Sequence, residues 1–325
     1  AGNIYLAGAT DGGNGGTMWV SKRDPDGDEV WVWTQDEPGV EGLYGLVVDE
    51  DGQTYAAGRS AENGGNVEAW VGKLSADGAL MWSKTAAGDP AYGAGALSIA
   101  LRPSGGVLVG GALTPGGETD SDLWLQFFSE SGAPGASKLI DAAGGNDQAF
   151  AIDVDGDGNV LVCGQAATLG QTVQRLQPDL SVEWARSFTD QDVFGCAFDP
   201  DGNAFVSGRI IGMSTYAGFL RKYDADGVLS WERYDDDALA ALYTRLATDE
   251  LGNAIVGGTE YLSMMGDPHP LVTKYTPDGE IVWRRSNEDV AGISWAVAVR
   301  ADAIAIAGTF DGGMDTDFWF SKYTP

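Results

Sequence analysis

The sequence predicts an all-β protein, a seven-bladed β-propeller of four-stranded antiparallel blades. Three observations carry that prediction. A short strand pattern ending in glycine recurs seven times, Asp-Gly turns recur between alternating apolar segments, and no segment keeps a helical period over a window of about 11 residues.

The recurring strand is Ile4-Tyr5-Leu6-Ala7-Gly8, and its copies end at Gly58, Gly111, Gly164, Gly208, Gly258 and Gly308. These anchor glycines are 44 to 53 residues apart, the period of a propeller blade. Each unit reads as four strands. In the second unit Leu43 to Asp49 turns at Asp51-Gly52 into Thr54 to Gly58. A Gly/Asn loop leads to Trp70 to Leu74, and Asp77-Gly78 opens Ala79 to Thr85. Equivalent Asp-Gly turns stand at Gly27, Gly202, Gly227 and Gly279, where glycine supplies the positive φ of tight hairpins. Residues 1–325 form one propeller domain on this reading. Seven full units exceed the 325 residues available. The first unit begins at its second strand and the last ends at its third, so first and last blades are incomplete, with flanks expected outside this numbering.

Nine of the 11 Trp fall in two columns. Third strands carry Trp19, Trp70, Trp124 and Trp319; fourth strands carry Trp31, Trp82, Trp184, Trp231 and Trp283, with Ala136 as the exception. The offset of 12 between the columns predicts that each pair meets across a hairpin on one face, filling the wedge between blades. A Lys column (Lys22, Lys73, Lys222, Lys274, Lys322) is expected to pair with nearby acids.

Composition narrows function. The formal charge of -29 repels phosphate backbones and anionic lipid surfaces, which excludes nucleic acid, and no apolar run is long enough to span a membrane. A single His269 leaves no multi-histidine metal centre. Cys163 and Cys196 stand where other units carry small or aliphatic residues and read as buried. The N-terminus carries no signal-peptide pattern.

The segments Lys222-Tyr223-Asp224-Ala225-Asp226-Gly227-Val228-Leu229-Ser230-Trp231 and Asp199-Pro200-Asp201-Gly202-Asn203-Ala204-Phe205-Val206-Ser207-Gly208 resemble the bacterial SBBP-type β-propeller repeat. The resemblance extends over essentially the whole chain. It implies a binding scaffold on the cell surface, outside the cell or in the periplasm, and brings no catalytic motif. The Trp at positions where that family favours Phe or Tyr is a departure. The Gly-His and Trp-Asp dipeptides of WD40 repeats do not recur.

Candidate ligand-binding residues fall in two groups. Tyr44, Phe150, Phe194 and Trp295, with Leu97 and Thr244 at matching places, stand near the start of first strands, where they plug a central channel or floor a ligand site. The long loops of the fifth and sixth units add Met213 and Tyr216, then Tyr261, Met264, Met265 and His269, one exposed apolar patch if they meet. Asp153, Asp155 and Asp157 imitate a calcium loop, but Gly164 stands where the twelfth-position Glu belongs, so an ordinary turn and no cofactor are expected. Past the channel-mouth residues come Gly45, Ser98, Ala151 and Gly195, with Arg245 the one charged exception, read as channel-lining and free of carboxylates. The expected function is therefore non-enzymatic binding of a protein or small ligand, carbohydrate included, by a monomer. The alternatives are a propeller hydrolase or lyase with its site at the channel, and a structural module of a larger surface protein.

Overall fold

A computed structural model describes residues 2–11, 16–35, 42–61, 67–87, 93–115, 120–140, 144–166, 170–211, 217–235, 240–263, 266–300, 303–311 and 316–323. The described chain forms seven antiparallel sheets in which sequence neighbours are sheet neighbours. The first holds β1 (Ile4–Asp11), β2 (Gly16–Arg23) and β3 (Glu29–Gln35). The second holds β4 (Gly42–Val48), β5 (Thr54–Ser60), β6 (Glu68–Leu74) and β7 (Leu80–Ala87). The third holds β8 (Ala94–Leu101), β9 (Val107–Leu113), β10 (Asp122–Phe128) and β11 (Pro134–Ile140). The fourth holds β12 (Gln148–Val154), β13 (Val160–Ala166), β14 (Gly170–Leu176) and β15 (Val182–Phe188). The fifth holds β16 (Gln191–Phe198), β17 (Ala204–Ile210), β18 (Ala217–Tyr223) and β19 (Leu229–Asp235). The sixth holds β20 (Ala240–Thr248), β21 (Ala254–Tyr261), β22 (Pro268–Tyr275) and β23 (Ile281–Ser286). The seventh holds β24 (Gly292–Arg300), β25 (Ala303–Asp311) and β26 (Thr316–Tyr323). The first and last sheets are three-stranded, as the repeat pattern predicts. Two compact units divide the chain: Ala1–Leu169 with Leu176–Ser181, and Gly170–Arg175 with Val182–Pro325.

The short turns explain the Asp-x-Asp-Gly signature. Asp199 Oδ1 accepts the amides of Asp201 at 3.0 Å and Asn203 at 2.8 Å, and Gly202 at φ 78° lets the chain double back. Asp49, Asp155, Asp224 and Asp249 repeat the arrangement. One turn breaks the glycine rule: Leu180 takes φ 67° and is buried.

The core lies in the wedges between successive sheets. Trp70 packs with Met18 and Val20 of the preceding sheet, whereas Trp82 packs with Trp124 of the following one. The two columns therefore occupy opposite faces of a blade, which corrects the expected cross-hairpin pairing. Trp70 lies opposite Thr85, and Trp82 lies opposite Lys73. An odd separation along a strand changes face, and Trp70 and Lys73 are three residues apart. Columns from different blades share a wedge instead: Trp31 packs against the cluster that holds Trp70, and Trp33, outside both columns, stacks on Trp70 with centroids 5.8 Å apart.

Four of the fourth-strand tryptophans also fasten their sheet to the next. The Nε1 of Trp31, Trp82, Trp184 and Trp231 donates to the carbonyls of Ala76, Glu130, Ala225 and Pro277, each in the following sheet's outer turn. Each ring lies against that turn's glycine: Gly78, Gly132, Gly227 or Gly279. The Lys column behaves partly as expected. Lys222 pairs with Asp199 at 2.9 Å and Lys274 with Asp249 at 3.0 Å, but Lys73 is buried, 4.6 Å over the Tyr55 ring. Both Cys163 and Cys196 are buried, as expected.

Candidate functional site: the inner-strand bulges

Every first strand of the second to seventh sheets carries a β-bulge. The residues that the ladder register skips are Tyr44, Leu97, Phe150, Phe194, Thr244 and Trp295, the third sequence column. The anchor glycines make the bulges possible. A Cβ at Gly58 would run into the carbonyl oxygen of Gly42, two residues before the bulge residue Tyr44. Gly111, Gly164, Gly208, Gly258 and Gly308 meet the carbonyls of Gly95, Gln148, Asp192, Leu242 and Ile293 in the same way. The repeated glycine is thus the receptor for the bulge, and the bulge takes one residue of each first strand out of the ladder.

These side chains differ in exposure. In the first compact unit Tyr44 is 42% exposed, while Leu97 and Phe150 are half-buried. The Arg59 guanidinium lies 5.5 Å from the Tyr44 ring centre. In the second unit Phe194 is half-buried beneath Arg209, whose Nε donates to Asp192 at 2.6 Å. Thr244 is buried and donates to the Ser294 carbonyl at 2.7 Å. Trp295 is 47% exposed, and its Nε1 donates to Thr309 Oγ1 at 2.9 Å. Tyr44 and Trp295 are therefore presented surfaces and not buried plugs. Arg59, Arg209 and Thr309 each follow an anchor glycine by one residue. Sequence reasoning missed them, although their place beside the anchor was a usable signal.

The bulge also overturns one expectation. It shifts the parity of the residues after it, and Gly45, Ser98 and Gly195 face neighbouring first strands. A Cβ on Gly45 would come within 2.9 Å of Ile99 Cγ2, Ser98 Oγ accepts the Ile152 amide at 3.1 Å, and Gly195 abuts Leu246. They are small because neighbouring first strands pass close by.

Of the loop candidates, Met213, Tyr216, Met264 and Met265 lie outside the described residues. Tyr261 is half-buried at the end of β21. His269 is half-buried, with Nδ1 3.2 Å from the Val290 carbonyl. The calcium-like run forms a turn: Asp155 Oδ1 accepts the amides of Asp157 and Asn159, and Asp155 Oδ2 accepts Asn159 Nδ2. Asp153 Oδ1 accepts the Val154 amide at 2.8 Å.

A polar network in the wedge between the fifth and sixth sheets has no sequence-level forecast. Arg284 bridges Glu260 and Asp235, both buried. Tyr243 Oη donates to Asp235 Oδ2 at 2.9 Å and lies 2.8 Å from Tyr275 Oη. Burial, reinforced by Tyr275 and Asp235, pushes the Tyr243 phenol well above its usual range. Burial works against the Arg284 cation, but Glu260 and Asp235 outweigh it and raise its pKa. The signal was in the repeat: Glu260's position holds Thr10, Ser60, Leu113, Ala166 and Ile210 in other units.

No family model and no curated protein matches the chain. Solved structures do. The Pan2 WD40 domain of Neurospora crassa superposes with a TM-score of 0.59 at 10% identity, covering 95% of this chain and 86% of that one. The Dos1 propeller gives 0.53 at 10% identity, covering 98% and 88%. Sqt1 of Chaetomium thermophilum gives 0.53 at 11% identity, covering 94% and 90%. Seven antiparallel sheets and this likeness establish the chain as a seven-bladed β-propeller.

Proposed function

We propose that the protein is a non-catalytic binding scaffold that meets a protein or small ligand at the long-loop ends of its first strands. The observation that carries this reading is Trp295. It is 47% exposed, yet its indole is held by Thr309, so a large aromatic surface is fixed in place without being buried. Tyr44 under Arg59 offers a similar platform in the first unit. An aromatic face beside hydrogen-bonding groups suits a sugar ring or an aromatic-bearing peptide. The resemblance to SBBP-type repeats supports export to the cell surface or periplasm, whether as an independent scaffold or as a module of a larger surface protein.

The test is a glycan and peptide array probed with the protein, followed by titration of the best ligand against Trp295→Ala and Tyr44→Ala. The expected result is a loss of about tenfold or more in one variant, the scale of a removed aromatic anchor. Equal binding by both variants removes the bulge surface from the account. A hydrolase or lyase screen that detects turnover abolished by either change would replace the scaffold with an enzyme.

A further inference from the structure

We infer that the short-turn end of the fifth and sixth blades is a second docking surface, and that its occupant is a basic peptide segment bearing aliphatic side chains. It lies at the opposite ends of the strands from the bulge residues and stands independently of them.

Leu251 is the first indication. It sits in the turn Asp249-Glu250-Leu251-Gly252, where equivalent turns carry Asp51, Asp157 and Asp201. The turn geometry calls for a polar or small residue there, and Leu251 makes the turn with 79% of its surface in solvent. Its neighbourhood is the second. A Cβ on Gly252 would lie 3.5 Å from Pro277 and 3.8 Å from Pro200, so three turns of the two blades meet at this point. Trp231 then ties the Pro277–Gly279 turn to the fifth blade's outer strand. Val228, just before that strand, and Leu229, its first residue, are 58% and 44% exposed; the sixth blade's outer strand opens with Ile281 and Val282, 52% and 50% exposed.

Charge selects the occupant. The exposed acids Asp201, Asp226, Glu250, Asp278 and Glu280 surround these aliphatic side chains. Nearby cations are committed within the blades: Lys222 to Asp199, Lys274 to Asp249, and Arg233 to Glu280 and the Gly279 carbonyl. A second copy of a chain carrying -29 is repelled, as are anionic lipid and nucleic acid. A segment with Lys or Arg beside Leu, Ile or Val matches both the rim and the centre.

The experiment titrates a fluorescently labelled Leu-Lys peptide into wild-type protein and Leu251→Asp, with Met81→Asp as a control at an exposed aliphatic position of the second blade. Asp already occupies this turn position in three other blades, so an unchanged melting curve is expected. The proposal predicts binding about tenfold weaker in Leu251→Asp, the scale of one lost aliphatic contact, and unchanged or tighter binding in Met81→Asp. Charge attraction alone predicts the reverse for Leu251→Asp, because the variant is more acidic. Unchanged or tighter binding there, or equal weakening in the control, overturns the proposal. So does wild-type self-association that Leu251→Asp abolishes, which would make a second copy the occupant. Should Leu251→Asp fail to fold, Ile281→Thr replaces it with the same two readings.

Discussion

The indole Nε1 of Trp231 donates to the carbonyl oxygen of Pro277 at 3.0 Å, across 46 residues and from one blade to the next. Lys222 Nζ reaches the same carbonyl at 3.3 Å, so one turn oxygen receives both a third-strand and a fourth-strand donor. Trp231→Phe keeps most of the ring and removes the donor, and should lower unfolding free energy by about 1 kcal/mol. Trp231→Ala also removes the packing on Gly279 and should lower it by about 2–4 kcal/mol. Urea unfolding of the two variants checks the ratio.

Leu180 and Ala136 form the exception that explains the rule. Fourth-strand Trp meets a turn glycine at four junctions; at the third, Ala136 replaces Trp and Leu180 replaces Gly. Leu180 is buried there despite φ 67°, and Lys138 Nζ donates to its carbonyl at 2.6 Å. Ala136→Trp alone should destabilise by overpacking, and adding Leu180→Gly should recover much of the loss. A double-mutant cycle should give a coupling of about 1–3 kcal/mol; additive effects would show that the two side chains do not share the space.

The Arg284 network should make stability pH-dependent. Arg284→Met leaves Asp235 and Glu260 buried without their cation, a loss of about 3–5 kcal/mol at neutral pH. Tyr243 sets the alkaline limit. Its folded pKa lies above the value of about 10 in the unfolded chain, so its contribution is intact below pH 10 and falls as pH rises beyond it. Tyr243→Phe should flatten the alkaline limb by up to about 1.4 kcal/mol per pH unit, read from chemical denaturation above pH 10.

Much of the fold was legible because the repeat exposes it: anchor glycines, Asp-Gly turns and the two Trp columns all correspond to structural devices. The face assignments were less legible. Trp70 and Trp82 were expected to meet across one hairpin, but the register places Lys73 opposite Trp82. Gly45 and Ser98 were expected in a channel, but a bulge at Tyr44 or Leu97 changes parity, and a single sequence does not mark an inserted residue. The Pan2 WD40 domain shares the architecture although the Gly-His and Trp-Asp dipeptides are missing here. Trp–turn and bulge–glycine contacts appear in their place in the described blades. Glu260 and Arg284 were visible only as departures from their columns, and no local pattern pairs them, because they meet across the intervening strand β22 and at the Asp235 of another blade.

The central claim is that the repeated glycine exists to seat the bulge that presents one side chain per blade. Gly208 faces the Asp192 carbonyl of a bulged strand, whereas Gly8, in the three-stranded first sheet, has the Trp19 ring as its nearest neighbour at 3.1 Å. Thermal and urea unfolding of Gly208→Ala and Gly8→Ala therefore compare the same substitution with and without a bulge. The account predicts a loss of about 2–4 kcal/mol for Gly208→Ala and no more than about 1 kcal/mol for Gly8→Ala. Equal losses would contradict it, because the glycine would then serve the strand and not the bulge.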